Sequence, residues 1–86
     1  MRAVLLESNK PGMSARAAVR GSRMIQVRGL ADGDILILHY FNGEKCFQST
    51  TVEFDCDISI VARTTHICAE HRKVSGGKNR VSVDMI

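Results

Sequence analysis

The sequence predicts an all-β domain, an antiparallel β-sandwich of about seven strands, with a small barrel as the alternative way to arrange them. Three observations carry this expectation. Apolar and polar residues alternate along "SRMIQVRGL" (22–30), "TVEFDCDISI" (51–60) and "RVSVDMI" (80–86), which is the period of a strand with one buried face. Turn-forming clusters separate such runs, namely "ADGD" (31–34), "NGEK" (42–45) and "SGGKN" (75–79), where Asp, Asn and Gly tolerate the positive φ and local hydrogen bonding that turns need. No segment sustains an apolar period of 3.6 residues over a helical length.

The elements follow in order. Residues 1–13 read as an N-terminal strand or arm, with Val4, Leu5 and Leu6 as its apolar anchor. Pro11 pushes the preceding residue out of helical conformation and Gly12 permits a turn, so this segment is set off from a single sandwich domain over residues 14–86. "SARAAVR" (14–20) has helix-forming residues, but Gly21 and Ser22 end it after seven residues, which favours a short extended piece. In 22–30, Met24, Gln26 and Arg28 take one face and Ile25 and Val27 the other. "ILILHYF" (35–41) is apolar or aromatic almost throughout and reads as a strand buried on both faces. Asn42-Gly43 after it signals a hairpin. Residues 51–60 read as one long strand that turns Val52, Phe54, Cys56 and Ile58 inward and Glu53, Asp55 and Asp57 outward. "THICAEHRKV" (65–74) is then answered by a last strand in which Val81, Val83 and Met85 share a face.

Size and composition bound the rest. A chain of 86 residues buries only roughly 60 to 65% of the surface it exposes when unfolded, so stability drawn from partners is expected. With no Trp, one Tyr and three Phe, the core falls to aliphatic side chains. No run reaches the ~18 to 20 apolar residues that span a bilayer, so no membrane association is expected and the chain should be soluble in the cytoplasm where it is made. Three cysteines, Cys46, Cys56 and Cys68, fit no disulfide framework and read as small buried hydrophobes in a reducing compartment. The net charge of +3 is unevenly spread. Residues 1–30 hold six Arg/Lys against Glu7, residues 31–60 six Asp/Glu against Lys45, and residues 61–86 five Arg/Lys against Glu70 and Asp84. Such segregation favours head-to-tail contacts between copies or docking on an acidic neighbour.

Several patterns could carry chemistry. Glu53, Asp55 and Asp57 would project ~6.5 to 7 Å apart from one strand face, but a calcium loop must curl around its ion and a glycosidic carboxylate pair needs a cleft. A solvated or subunit-facing row is the better reading. His66 and Cys68 share a strand face that could begin a zinc site, while His71 falls on the opposite face and no second ligand pair completes a tetrahedron. Asp32-Gly33-Asp34 and Gly76-Gly77-Lys78 lack phosphate-loop spacing and read as turns. No catalytic, cofactor or metal residue is assigned, and the chain is expected not to be an enzyme. The alternative function is a small basic β-barrel that binds nucleic acid, through Arg16, Arg20, Arg23 and Arg28 or Arg72, Lys73, Lys78 and Arg80. The scarcity of aromatics for base stacking argues against it.

The segment "GSRMIQVRGLADGDILILHYFNGEKCF" resembles small virion proteins of tailed bacteriophages, in which a strand ends in "QVRGL", a "DGD" turn leads to a long strand, and "NG" precedes an aromatic. "THICAEHRKVSGGKNRVSVDMI" is similar to their closing hairpin. The resemblance implies a β-sandwich on the capsid surface of a virion, a head decoration or cement protein that binds the major capsid protein and associates with its own copies. It implies no catalytic residues. The interface residues expected for that role are Val4, Leu5, Leu6, Arg16, Arg20, Glu53, Asp55 and Asp57.

Overall fold

The computed structural model describes residues 3–8, 10–73 and 80–86, and leaves the side chains of Ala3, Leu5, Glu7, Ser8 and Lys73 outside the description. The predicted turn at 75–79, with Gly76, Gly77 and Lys78, falls outside the described residues. The described chain holds nine strands: β1 (Ala3–Ser8), β2 (Gly12–Met13), β3 (Ala17–Ala18), β4 (Met24–Arg28), β5 (Asp34–Asn42), β6 (Lys45–Val52), β7 (Cys56–Ser59), β8 (His66–Lys73) and β9 (Val81–Met85). One sheet has the order β1-β9-β4-β7, and the other β2-β8-β5-β6, with β3 beside β2 on the same edge of β8. All pairings are antiparallel. Neither sheet closes on itself, so the molecule is a sandwich. Its shortest extent, 18 Å, suits two sheets stacked about 10 Å apart with side chains on their outer faces.

The core forms where the alternating patterns of both sheets meet. Ile25, Val27, Val81, Val83 and Met85 from the four-stranded sheet pack on Leu36, Leu38, Tyr40, Val52, Ile67 and Ala69 from the five-stranded one. At roughly 25 cal/mol per Å² of apolar surface, burial of each large side chain contributes about 1.5–3 kcal/mol. Tyr40 is the largest fully buried side chain. Its hydroxyl bonds the Thr50 side chain, and burial pushes its pKa up. Strand β5 alternates strictly: Asp34, Leu36, Leu38 and Tyr40 are buried, whereas Ile35, Ile37, His39 and Phe41 are only half-buried. The expectation of burial on both faces thus holds for the inner face alone. The outer side chains are screened by neighbours on β6 and β8 and, at Phe41, by Arg16.

The hairpin at 42–45 is tight. Asn42 pairs with Lys45 across Gly43 and Glu44, and only Gly43 of the two has a left-handed φ, 62°, the pattern of a type II′ turn. The pairing slips between Tyr40 and Phe41, leaving Phe47 as an extra, unpaired residue in β6. A second bulge leaves Leu5 as the extra residue of β1. Residues 14–20 contribute only the two-residue β3.

The expected long strand over 51–60 is not continuous. β6 ends at Val52 in the five-stranded sheet, and β7 begins at Cys56 in the four-stranded sheet. A chain that changes sheets must leave one hydrogen-bond ladder before joining the next, and the residues at the corner lose the in/out alternation. Phe54 sits at that corner and is 70% exposed, so it does not join Val52, Cys56 and Ile58 at the core.

Candidate functional site

The acid row is dismantled by this corner. Asp55 accepts hydrogen bonds from the backbone N–H groups of Gly29 (3.0 Å) and Leu30 (2.9 Å), fixing the exit of β4. Asp57, on β7, accepts from Arg28 Nη2 at 2.8 Å, and Arg28 Nη1 also donates to the carbonyls of Val27 and Cys56. Both side chains of that pair are about half exposed, which limits its worth to roughly 0.2–1 kcal/mol. Glu53 is exposed and has no polar partner among the described residues. Two members of the row serve the fold, and one faces solvent.

One acid of the 31–60 segment is taken into the interior. Asp34 is fully buried, with Oδ2 3.8 Å from Nε2 of the equally buried His71, and it accepts a bond from the Ala31 N–H at 3.3 Å. His71 points into the core, while His66 and Cys68 lie on the outer face of β8. Cys68 is buried there by Ser14, whose carbonyl accepts from its thiol (3.1 Å) and whose hydroxyl accepts from Ala69 N–H (2.9 Å). His66, Cys68 and His71 are therefore split between two faces. Among the described residues no group of three such side chains is placed to hold a metal ion.

The basic candidates have local roles as well. The Arg16 guanidinium lies 5.3 Å from the centre of the Phe41 ring, a cation–π distance. Arg16, Gly43, Glu44 and His66 line an open depression of about 390 Å³ at the hairpin end of the sheet. Arg20 is exposed in a turn closed by Ser22 N–H to Val19 O (3.0 Å), with left-handed φ at Arg20 and Gly21. Of the proposed anchor, Val4 is 59% exposed, Leu6 packs against the core, and the Leu5 side chain lies outside the described residues.

Two features escaped the reading of the sequence. The first is a hydrogen-bonded chain across three strands on the outer face of the five-stranded sheet. His39 Nε2 lies 3.1 Å from Glu70 Oε1, and His39 Nδ1 lies 2.8 Å from Ser49 Oγ. Arg72 Nε donates to the other Glu70 oxygen at 2.8 Å. With Glu70 accepting from Nε2–H, a neutral His39 ring accepts the Ser49 hydroxyl proton at Nδ1. Arg72, and then His39, holds the Glu70 carboxyl below its ordinary range. The chain ties β6 to β5 and β8. The second feature is the free edge of β6, eight residues long and exposed over most of its length, with Phe47 and Phe54 bordering it at 41% and 70% exposure. Its only charge is Lys45; the seven residues from Cys46 to Val52 carry none. That uncharged run was the one available signal.

No protein-family model, curated protein or solved structure matches this chain.

Proposed function

We propose that the chain is a structural protein of a tailed-bacteriophage particle, a capsid decoration subunit that binds and braces the major capsid protein lattice. It is made in the host cytoplasm and works on the virion surface without catalysing a reaction. One observation supports this reading most directly: the two sheets end in open edges with large apolar side chains exposed beside them. Val4 lies on edge strand β1, and Phe47 on edge strand β6. Met24 and Ile86, which exchange backbone hydrogen bonds, add exposed apolar surface at one end of the four-stranded sheet. Unpaired strand edges are templates for pairing with a neighbour, and a lattice of repeated sites converts modest single contacts into firm attachment. The resemblance of residues 21–47 and 65–86 to small virion proteins supplies the partner.

The nucleic-acid alternative draws less support, because Arg28 and Arg72 are bound to Asp57 and Glu70 and Arg16 is stacked on Phe41. The deciding experiment mixes the purified chain with tailed-phage capsids stripped of their accessory proteins. Saturable co-sedimentation, with a rise in the temperature at which capsids break, is the expected result. A chain that stays in the supernatant with capsids but retains DNA at low salt and releases it at moderate salt would overturn the proposal in favour of the alternative.

A further inference from the structure

We infer that Ser49 is an activated nucleophile, with His39 as its general base and Glu70 positioning that base, and that it takes up an acyl group from activated esters such as aryl esters. The product is a stoichiometric adduct on the chain rather than turnover, so the inference goes beyond the structural role proposed above and stands independently of it.

A serine hydroxyl is a weak nucleophile until a base within hydrogen-bond reach takes its proton and a third group orients that base. Ser49 Oγ lies 2.8 Å from His39 Nδ1, and His39 Nε2 lies 3.1 Å from Glu70 Oε1. Strand register builds this arrangement: His39 of β5 pairs with Ser49 of β6 on one side and with Cys68 of β8 on the other, and Glu70 lies two residues beyond Cys68 on β8. The carboxylate sets the tautomer. A ring with its proton on Nδ1 would turn the Nε2 lone pair toward an ionised oxygen, whereas Nε2–H donates to that oxygen and leaves Nδ1 to accept from the hydroxyl. Arg72 Nε donates to the other Glu70 oxygen at 2.8 Å, and Arg72, then His39, holds the Glu70 carboxyl below its ordinary range. It therefore stays ionised beside the imidazolium that forms when His39 takes the proton. These are the roles of a Ser-His-Glu triad, with Nδ1 rather than Nε2 facing the serine.

Ser49 is exposed on an edge strand, so a small ester reaches it from solvent. The hydroxyl proton passes to His39 Nδ1 as Oγ bonds to the carbonyl carbon. The tetrahedral intermediate then expels the aryl oxide by breaking its C–O bond, and the imidazolium returns the proton to that leaving group. Serine and aryl ester thus become acyl-serine and a phenol, with His39 neutral again. Along Gln48–Val52 the pairing of β6 with β5 is regular, and alternate N–H groups of an edge strand point away from its partner. Either the Ser49 N–H or those of Gln48 and Thr50 therefore face outward, as the nearest donors to the oxyanion. An exposed serine works in the presence of water, without the stronger electrostatics of a closed site. The leaving group must accordingly be a good one, which fixes the substrate class as activated esters and excludes amides.

The test is acetylation of the full chain by p-nitrophenyl acetate at mildly alkaline pH, in a Cys46→Ala background because that exposed thiol lies 3.9 Å from Ser49 Oγ and would compete. Tandem mass spectrometry of timed, digested samples gives a rate at each residue. Ser59, exposed on edge strand β7 of the other sheet, is the internal reference. Ser49 should acquire its acetyl group at least about 100-fold faster than Ser59, the low end of general-base assistance. His39→Gln should bring Ser49 down to the Ser59 rate, and Glu70→Gln should slow Ser49 about tenfold or more while leaving Ser59 and the circular dichroism spectrum unchanged. Nitrogen-15 NMR of the neutral His39 ring should place its proton on Nε2. Labelling of Ser49 no faster than Ser59, which needs no variant at the site, overturns the assignment; so does a Ser49 rate indifferent to His39→Gln, or a neutral ring protonated on Nδ1. These rates are read without capsids, so failure of the assembly reading would leave them unchanged.

Discussion

Replacing Gly29 by Ala should unfold this domain far more readily than replacing Gly12, Gly21 or Gly43, and the size of the loss can be worked from two separate terms. Gly29 follows β4 with φ 89°, and a Cβ built there would lie 2.1 Å from the Arg80 carbonyl oxygen and 3.1 Å from its carbon. The left-handed backbone alone costs an L-residue about 1–2 kcal/mol. Contacts under 3.0 Å are essentially never made by real Cβ atoms, so the Arg80 backbone would have to retreat by at least 0.9 Å (3.0 minus 2.1). Arg80 leads directly into β9, which is paired on both sides and contributes Val81 and Val83 to the core, so that movement disturbs packed side chains. Overpacking of this kind costs typically 1–3 kcal/mol. The sum is about 2–5 kcal/mol, and each kcal/mol lowers the midpoint by roughly 4–8 °C in a domain of this size. Gly43→Ala separates the terms: its φ is 62° but nothing lies within 4 Å of its Cβ position, so only the backbone penalty applies. Gly12→Ala, also with open space, serves as the baseline. Urea and thermal unfolding followed by far-UV circular dichroism should rank the losses as Gly29 over Gly43 over Gly12. Equal losses at Gly29 and Gly43 would refute the close approach of β4 and β9 at this corner.

Two further outcomes follow from the outer sheet face and the cysteines. Glu70 has a folded pKa held below its ordinary 4.5 by Arg72 and His39; a depressed carboxyl stabilises the fold above the unfolded pKa and loses that contribution as pH falls through the folded value. The wild-type melting temperature should therefore fall more steeply below about pH 4.5 than that of Glu70→Gln, and parallel curves would show that the contacts of the Glu70 carboxylate with Arg72 and His39 contribute nothing to stability. Alkylation followed by mass spectrometry should label exposed Cys46 first, with Cys56 and Cys68 far slower, because burial raises both of their pKa values and Ser14 covers Cys68. Equal rates at Cys46 and Cys68 would mean that Ser14 is not seated on β8.

Local patterning carried much of the fold because period-two alternation and turn chemistry act over a few residues. Ile25 and Val27 in β4, Val81, Val83 and Met85 in β9, and the hairpin at Gly43 lie where those rules place them. The corner at 53–55 was hidden for a physical reason. Alternation continues in the sequence across a change of sheet, since Val52 and Cys56 both face the same core from opposite layers, and nothing local marks Phe54 as outside it. Buried polar groups were equally illegible. Asp34 and Asp84 are charged residues in strands, where the pattern expects solvent, yet both are almost fully buried. The chain from Ser49 through His39 to Glu70 joins residues whose proximity depends on the register of three strands, and register is a long-range property.

The same corner explains why the exposed strand edges divide as they do. By carrying the chain from the end of β6 into β7, residues 53–55 place the terminal strands of both sheets on one side of the sandwich, and the link from β1 to β2 does the same on the other side. One side thus presents the long β6 edge, bounded by Lys45 and Glu53, and the opposite side carries β1 with exposed Val4. An attachment made through strand β1 should therefore be lost in Val4→Asp and survive in Phe47→Asp, and the reverse pattern on co-sedimentation with capsids would place the contact on the β6 edge.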